Sequence, residues 1–132
     1  MKGTDRQLLT DLRKALLNLH KTLLEWERAA YERIHGRTSP GNLLTALMAD
    51  PQFAWLRPLS ELIVRIDESL EMDAREGPEA DVDAIVALAA SAIVADEAGG
   101  PAAQRHHQAL QAYPDAVFAH RAVTTVLKSR QG

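Results

Sequence analysis

Three residues able to carry charge or move a proton recur every seventh position early in the chain: Arg13, His20 and Glu27. With Leu17, Leu24 and Tyr31 between them they form a stripe whose steps alternate four and three, which is one face of an α-helix. On a helical wheel this stripe lies beside the apolar seam and not on the fully polar face. Polar groups placed there need partners, because burial without one costs a few kcal/mol. Two arrangements meet that need. In one, the stripe lines a polar pocket in which Glu27 acts as a base or metal ligand, His20 is its partner and Tyr31 donates a hydrogen bond. In the other, it makes hydrogen bonds between helices, or between subunits, at the rim of a core. Seven residues of helix rise about 10.5 Å, so His20 and Glu27 cannot touch directly.

Glu32 and His35 match Glu-x-x-His, the spacing by which di-iron bundles place a carboxylate and an imidazole on one metal. Such a centre needs the motif twice. The residues three positions before the other histidines are Leu17, Ala103, Gln104 and Val117, so the second copy is missing. Glu32 and His35 stay candidates for a metal ligand beside Glu27, and no cofactor is implied. His106 and His107 are adjacent, about 100° apart on a helix, and cannot easily share one ion. They and His120 read as surface or rim histidines. The chain has no cysteine, which excludes disulfides, thiolate metal sites and a cysteine nucleophile. Its serines lack a Gly-x-Ser-x-Gly context, and its glycines punctuate helices where a phosphate loop would cluster them. No catalytic signature is present, and the reading is that of a non-enzyme.

The densest unusual segment runs from Asp50 to Ser60, a turn bracketed by Pro51 and Pro58 that holds Phe53, Trp55 and Arg57. It serves either as a hydrophobic plug at one end of the molecule, with Arg57 pairing to Asp50 or Asp67, or as a recognition surface made of Phe53, Trp55 and Arg57. This segment carries a resemblance. His20-Lys21, Glu25, Tyr31-Glu32, Asp50-Pro51, the string Phe53-Ala54-Trp55-Leu56-Arg57-Pro58-Leu59-Ser60 and Ile66-Asp67 together resemble a group of small bacterial proteins. The resemblance covers about the first half of the chain. It implies a bacterial origin and an all-helical fold, and it supplies no activity.

The elements that must position these residues are helical throughout. Leu8, Leu12, Leu16, Leu19, Leu23, Trp26, Ala30 and Ile34 form a seam over about eight turns, with Thr4 or Asp5 as its cap and Gly36 past its end. That helix is about 31 residues and about 46 Å long, a spine or an arm into a dimer. Ser39-Pro40 and Asp50-Pro51 each open a short helix. Pro58 should push Arg57 out of helical geometry. A helix with Leu59, Leu62, Ile63, Ile66 and Leu70 follows, flanked by Glu61–Arg65 and Glu71–Arg75 pairs, and Gly77-Pro78 ends it. Residues 84–95 carry no charge and are too few to span a bilayer, so they predict a buried central helix. Breaks at Gly99-Gly100-Pro101 and Tyr113-Pro114 set off two more helices. No strand pattern competes. The whole, 132 residues with 46% apolar and 25% charged, predicts one all-α helical-bundle domain over 1–132, four main helices plus short ones.

The net charge of −3 is unevenly laid out. The first 39 residues and the last 32 are each basic, and between Asp67 and Asp83 eight carboxylates meet only Arg75. The acidic balance argues against nucleic acid, and no helix combines a basic face with large exposed apolars, which argues against a membrane surface. The residues from Met1 to Arg6 lack the apolar core of a signal peptide, so a cytoplasmic location is expected. The leading function is a non-catalytic helical interaction module, a homodimer in which basic helix 1 meets the acidic run of its partner, with a further protein partner possible in principle. The alternative is a small-molecule or metal-binding bundle with a cavity near His20, Glu27, Tyr31 and Trp55.

Overall fold

The computed structural model describes residues 1–131. Among them are six α-helices, one 3-10 turn and no strand, an all-α bundle. The spine is α1 (Gly3–His35), whose seam residues Leu12, Leu16 and Leu19 have no solvent contact. Leu9 and Ala15 are buried beside them, because α1 is covered on two sides, by α3 (Arg57–Ala74) and by α6 (Pro114–Gln131). Neither Thr4 nor Asp5 caps α1, which begins at Gly3; Asp5 turns instead to Arg130 of α6. Gly36 ends the helix at φ 81°, its N–H on the Glu32 carbonyl at 2.8 Å.

The seam is shorter than its periodicity suggests. Trp26 and Ala30 are half-buried and Ile34 is 75% exposed. His20 faces Ser60 in the first turn of α3, so about the last three turns of α1 run past that helix. The 3-10 turn Pro51–Leu56, which also carries α2 (Pro40–Ala49), packs against them. Ser39 accepts from the Asn42 N–H to cap α2, and the Asp50 carboxylate accepts from the Gln52 N–H to cap the turn. Pro58 does not displace Arg57, which is helical at φ −60°, ψ −40°. A proline in a first turn removes only an N–H that has no helical acceptor, so the 3-10 turn runs directly into α3.

The uncharged stretch is not central. Its helix, α4 (Val82–Ala92), lies on the outside against α3 and α6, burying Val82, Ile85 and Ala89 while Leu88 and Val94 stay exposed. Alanine buries little apolar area, and the bundle is organised around the larger leucine surface of α1. The chain closes with α5 (Pro101–Ala112), packed on α6 and the 3-10 turn. Of the two predicted i,i+4 pairs, Glu71–Arg75 forms, at 2.7 Å. The acidic run meets its cations within the chain: Arg6 reaches Asp73 at 2.7 Å, Arg13 reaches Asp67, and Arg130 reaches Asp83 at 2.9 Å. Asp67, Asp73 and Asp83 of the run are thus paired within the chain.

The end of α3 is a six-residue closure. The Gly77 N–H reaches the Met72 carbonyl at 2.7 Å and the Glu76 N–H reaches Asp73 at 3.1 Å. The left-handed residue this requires is Glu76, at φ 55°, one position before the glycine. A β-carbon makes that conformation unfavourable. Glu76→Gly is expected to raise stability by about 1 kcal/mol, read as a higher urea midpoint at unchanged slope.

Candidate functional site

The polar residues of α1 form a ladder against the antiparallel α3. Arg6 meets Asp73, Arg13 meets Asp67, and His20 Nε2 meets Ser60 Oγ at 2.8 Å. The next rung, seven residues on, is Glu27, and it falls where α3 has given way to the 3-10 turn. There the Trp55 indole N–H donates to Glu27 Oε1 at 3.2 Å. The rungs thus join helices inside the chain, and they do not line a common pocket. Burial lowers the His20 pKa and keeps its ring neutral as Ser60's partner.

Glu27 is 1% exposed. Arg105 of α5 holds it with a two-pronged grip, Nε on Oε1 at 3.2 Å and Nη2 on Oε2. The guanidinium lies 4.1 Å over the Trp26 ring, and Nη1 donates to Gln108 Oε1 at 2.6 Å. Trp26 and Trp55 stand perpendicular at 6.2 Å, and His106 packs perpendicular to Trp55 at 4.9 Å. One carboxylate therefore ties α1, the 3-10 turn and α5 together. Above it opens a groove of about 720 Å³, walled by Ala30, Ile34, Pro51, Ala54, Pro58 and Ala102.

The remaining candidates are placed as follows. Phe53 and Trp55 are buried as a plug, with Trp55 also lining the groove. Arg57 donates to the Asp50 backbone carbonyl at 3.2 Å, while Asp67 goes to Arg13. Tyr31 stacks between His35 (4.2 Å) and Phe53 (5.4 Å). Glu32 Oε2 accepts the Thr38 N–H at 2.6 Å and Oε1 sits 3.3 Å from Arg28, whose Nη2 donates to the Thr38 carbonyl at 3.1 Å. Glu32 thus clamps the loop after α1, and His35 is stacked away from it. No three His, Asp or Glu side chains among the described residues gather as a metal site.

Two members of the cluster escaped the sequence reading. Arg105 was not singled out, although it is the only cation in α5 and a buried carboxylate must find one. His106 is not a rim residue: it is buried, with no hydrogen-bond partner for Nε2. It lies one turn from the buried Ala109, a spacing that marks the inner face of α5. His107 and His120 are half-buried, the latter hydrogen-bonded to the Ile93 carbonyl at 2.9 Å. Burial, reinforced by the His120 charge and opposed by a backbone hydrogen bond to Ala92, lowers the His106 pKa to about 4. No family model, curated protein or solved structure matches the chain.

Removing one partner of a buried ion pair leaves the other without compensation. Glu27→Ala and Arg105→Ala are each expected to cost about 2–4 kcal/mol in urea unfolding, and the double variant less than their sum. His106 is neutral when folded and takes a proton more readily when unfolded. Its contribution is complete above about pH 6.5 and is lost as pH falls toward 4, up to about 3 kcal/mol. His106→Gln should flatten the stability profile across that window.

Proposed function

We propose that this chain is a non-catalytic helical interaction module that pairs with a second copy of itself through the end formed by α2 and the last turns of α1. The observation that carries the reading is α2. Its ten residues, Pro40–Ala49, include no charge, yet only Ala46 is buried. Leu44 is 58% exposed and Met48 71%, one turn apart on the outward face, and Ile34 of α1 is exposed at the same end of the molecule. Scattered exposed leucines need no explanation, but an uncharged helix with its large side chains turned outward does. Interface cores are depleted of charge in this way, and a surface without charge meets its own copy without repulsion.

The polar stripe supports the same reading by what it is already doing. Arg13, His20, Glu27 and Asp67 are each committed to a partner within the chain. The interface accordingly moves from the flank of α1, where the sequence suggested it, to its C-terminal end. No described helix is long and apolar enough to cross a membrane.

Native mass spectrometry of untagged protein, purified without chelator, tests the proposal. The expected mass is twice 14.5 kDa. The double variant Leu44→Glu/Met48→Glu should return to a single copy with unchanged far-UV circular dichroism. A single copy of the wild-type chain at high micromolar concentration overturns the proposal. A single copy that retains an organic mass or a metal overturns it in favour of the ligand-binding bundle.

A further inference from the structure

Two charges flank α2, Arg37 before it and Asp50 after it. A helix favours an anion at its N-terminal end and a cation at its C-terminal end. Here both signs are reversed, so neither charge serves α2. No ion pair among the described residues includes either one. Asp50 Oδ1 caps the 3-10 turn, 2.9 Å from the Gln52 N–H, which leaves Oδ2 without a hydrogen bond. Arg37 is exposed.

Both charges line one trough of about 590 Å³ beside α2. Asn42, Thr45, Ala46 and Ala49 form its helical wall, a single stripe of α2. Asn42 and Thr45 are the only side chains of α2 able to hydrogen-bond, and both lie on this stripe. Leu44 and Met48 lie about 130° round the helix, so the trough is separate from the proposed dimer surface. A second wall is Tyr31 and His35 of α1, stacked at 4.2 Å, with Phe53 against Tyr31 at 5.4 Å. The trough is thus polar and built on two helices, with a cation near one end of α2 and an anion near the other.

We infer that this trough binds a short peptide with free ends, about four residues long, its carboxylate on Arg37 and its ammonium on Asp50. Length selects this class of ligand. The ten residues of α2 span about 15 Å, and four extended residues span about 13 Å. A single amino acid holds its two charges too close together to reach both ends. Charge selects it as well. A plain carboxylate or phosphate leaves Asp50 unpaired, and a diamine leaves Arg37 unpaired, whereas a free-ended peptide answers both. The α2 dipole adds to this, because its positive end lies beside Arg37 and its negative end beside Asp50. Between the ends the Asn42 amide offers a donor and an acceptor to a peptide bond. The Thr45 hydroxyl, which donates to the Gly41 carbonyl at 3.1 Å, offers an acceptor. The volume lies in the range of small-ligand sites.

The test titrates tetra-alanine with free ends into the chain while NMR follows the Asn42 side-chain amide and the Tyr31 ring. The expected result is saturating shifts at both, with a Kd below about 1 mM. Acetylating the peptide's amine or amidating its carboxylate should each weaken binding about tenfold. Arg37→Gln should weaken binding of the free-ended peptide about tenfold and leave amidation with no further effect. Asp50→Asn, which keeps a capping side chain before the 3-10 turn, should do the same for acetylation. Dialanine, too short to reach both charges, should bind no tighter than the blocked peptides. No saturation by about 10 mM tetra-alanine overturns the inference. So do shifts confined to other residues, or an affinity indifferent to blocked ends. None of these readouts depends on whether the chain is one copy or two, so the failure of this inference and of the dimer are told apart.

Discussion

A carboxylate with almost no solvent contact has to be compensated by groups already in place when the chain folds around it. Glu27 is that carboxylate, and the geometry around it is constrained from three directions. Its two oxygens receive three hydrogen bonds, one from Trp55 and two from Arg105. Trp55 lies in the 3-10 turn and Arg105 in α5, which are fifty residues apart, so the pairing sets where both elements sit relative to α1. The aromatic rings follow from the same constraint. Trp26 backs the guanidinium, Trp55 stands across Trp26, and His106, beside Arg105 in sequence, is carried against Trp55. A pair of this kind adds little net stability compared with well-packed apolar side chains, but it is intolerant of a wrong arrangement. Its contribution here is to specify which end of the bundle the plug and α5 close.

The ladder on α1 extends that specification along the molecule. Leucine seams alone permit an antiparallel helix to slide by a turn, since one leucine packs much like another. Partners at 6, 13, 20 and 27 on α1, and at 73, 67 and 60 on α3 with 55 in the 3-10 turn before it, match in one register only. The exposed rungs, Arg6–Asp73 and Arg13–Asp67, are worth little individually in water. Their sign pattern still matters, because a one-rung slip one way would set Arg13 against Ser60 and leave Asp73 without its cation, and a slip the other way would set His20 against Asp67 and leave Arg6 without its carboxylate.

How much of this could be read from the sequence depends on whether the signal was periodic or pairwise. The helices were legible because leucine spacing and the Pro, Gly, Ser and Asp punctuation are local. The stripe Arg13, His20, Glu27 was legible for the same reason, and the partnering of its polar groups followed from the cost of burying them alone. The partners themselves were not. Arg105 is 78 residues from Glu27, and nothing local marks it as the cation that Glu27 needs. His106 looked peripheral because adjacent histidines cannot share a face; the buried side of α5 is set by Ala109, whose small side chain gives little periodic signal. The uncharged run at 84–95 looked central because hydrophobicity was counted by residue and not by area. Alanines contribute many residues and little surface.

The same distinction between residues and area bears on α2. A ten-residue helix is too short to be stable alone in water. Within the chain it rests on the 3-10 turn through Ala46, with Leu43 and Leu47 half-buried, and on the Ser39 cap. No ion pair along its length adds to that, since it has no charge to form one. The helix is thus anchored on its inner side by small contacts while its larger apolar surface faces away. Whatever covers Leu44 and Met48 then acts on two equilibria at once. It removes apolar area from water, and by binding only the helical form it stabilises α2 itself. An element built in this way is ordered most strongly when its outward face is covered, because its own contacts with the chain are small.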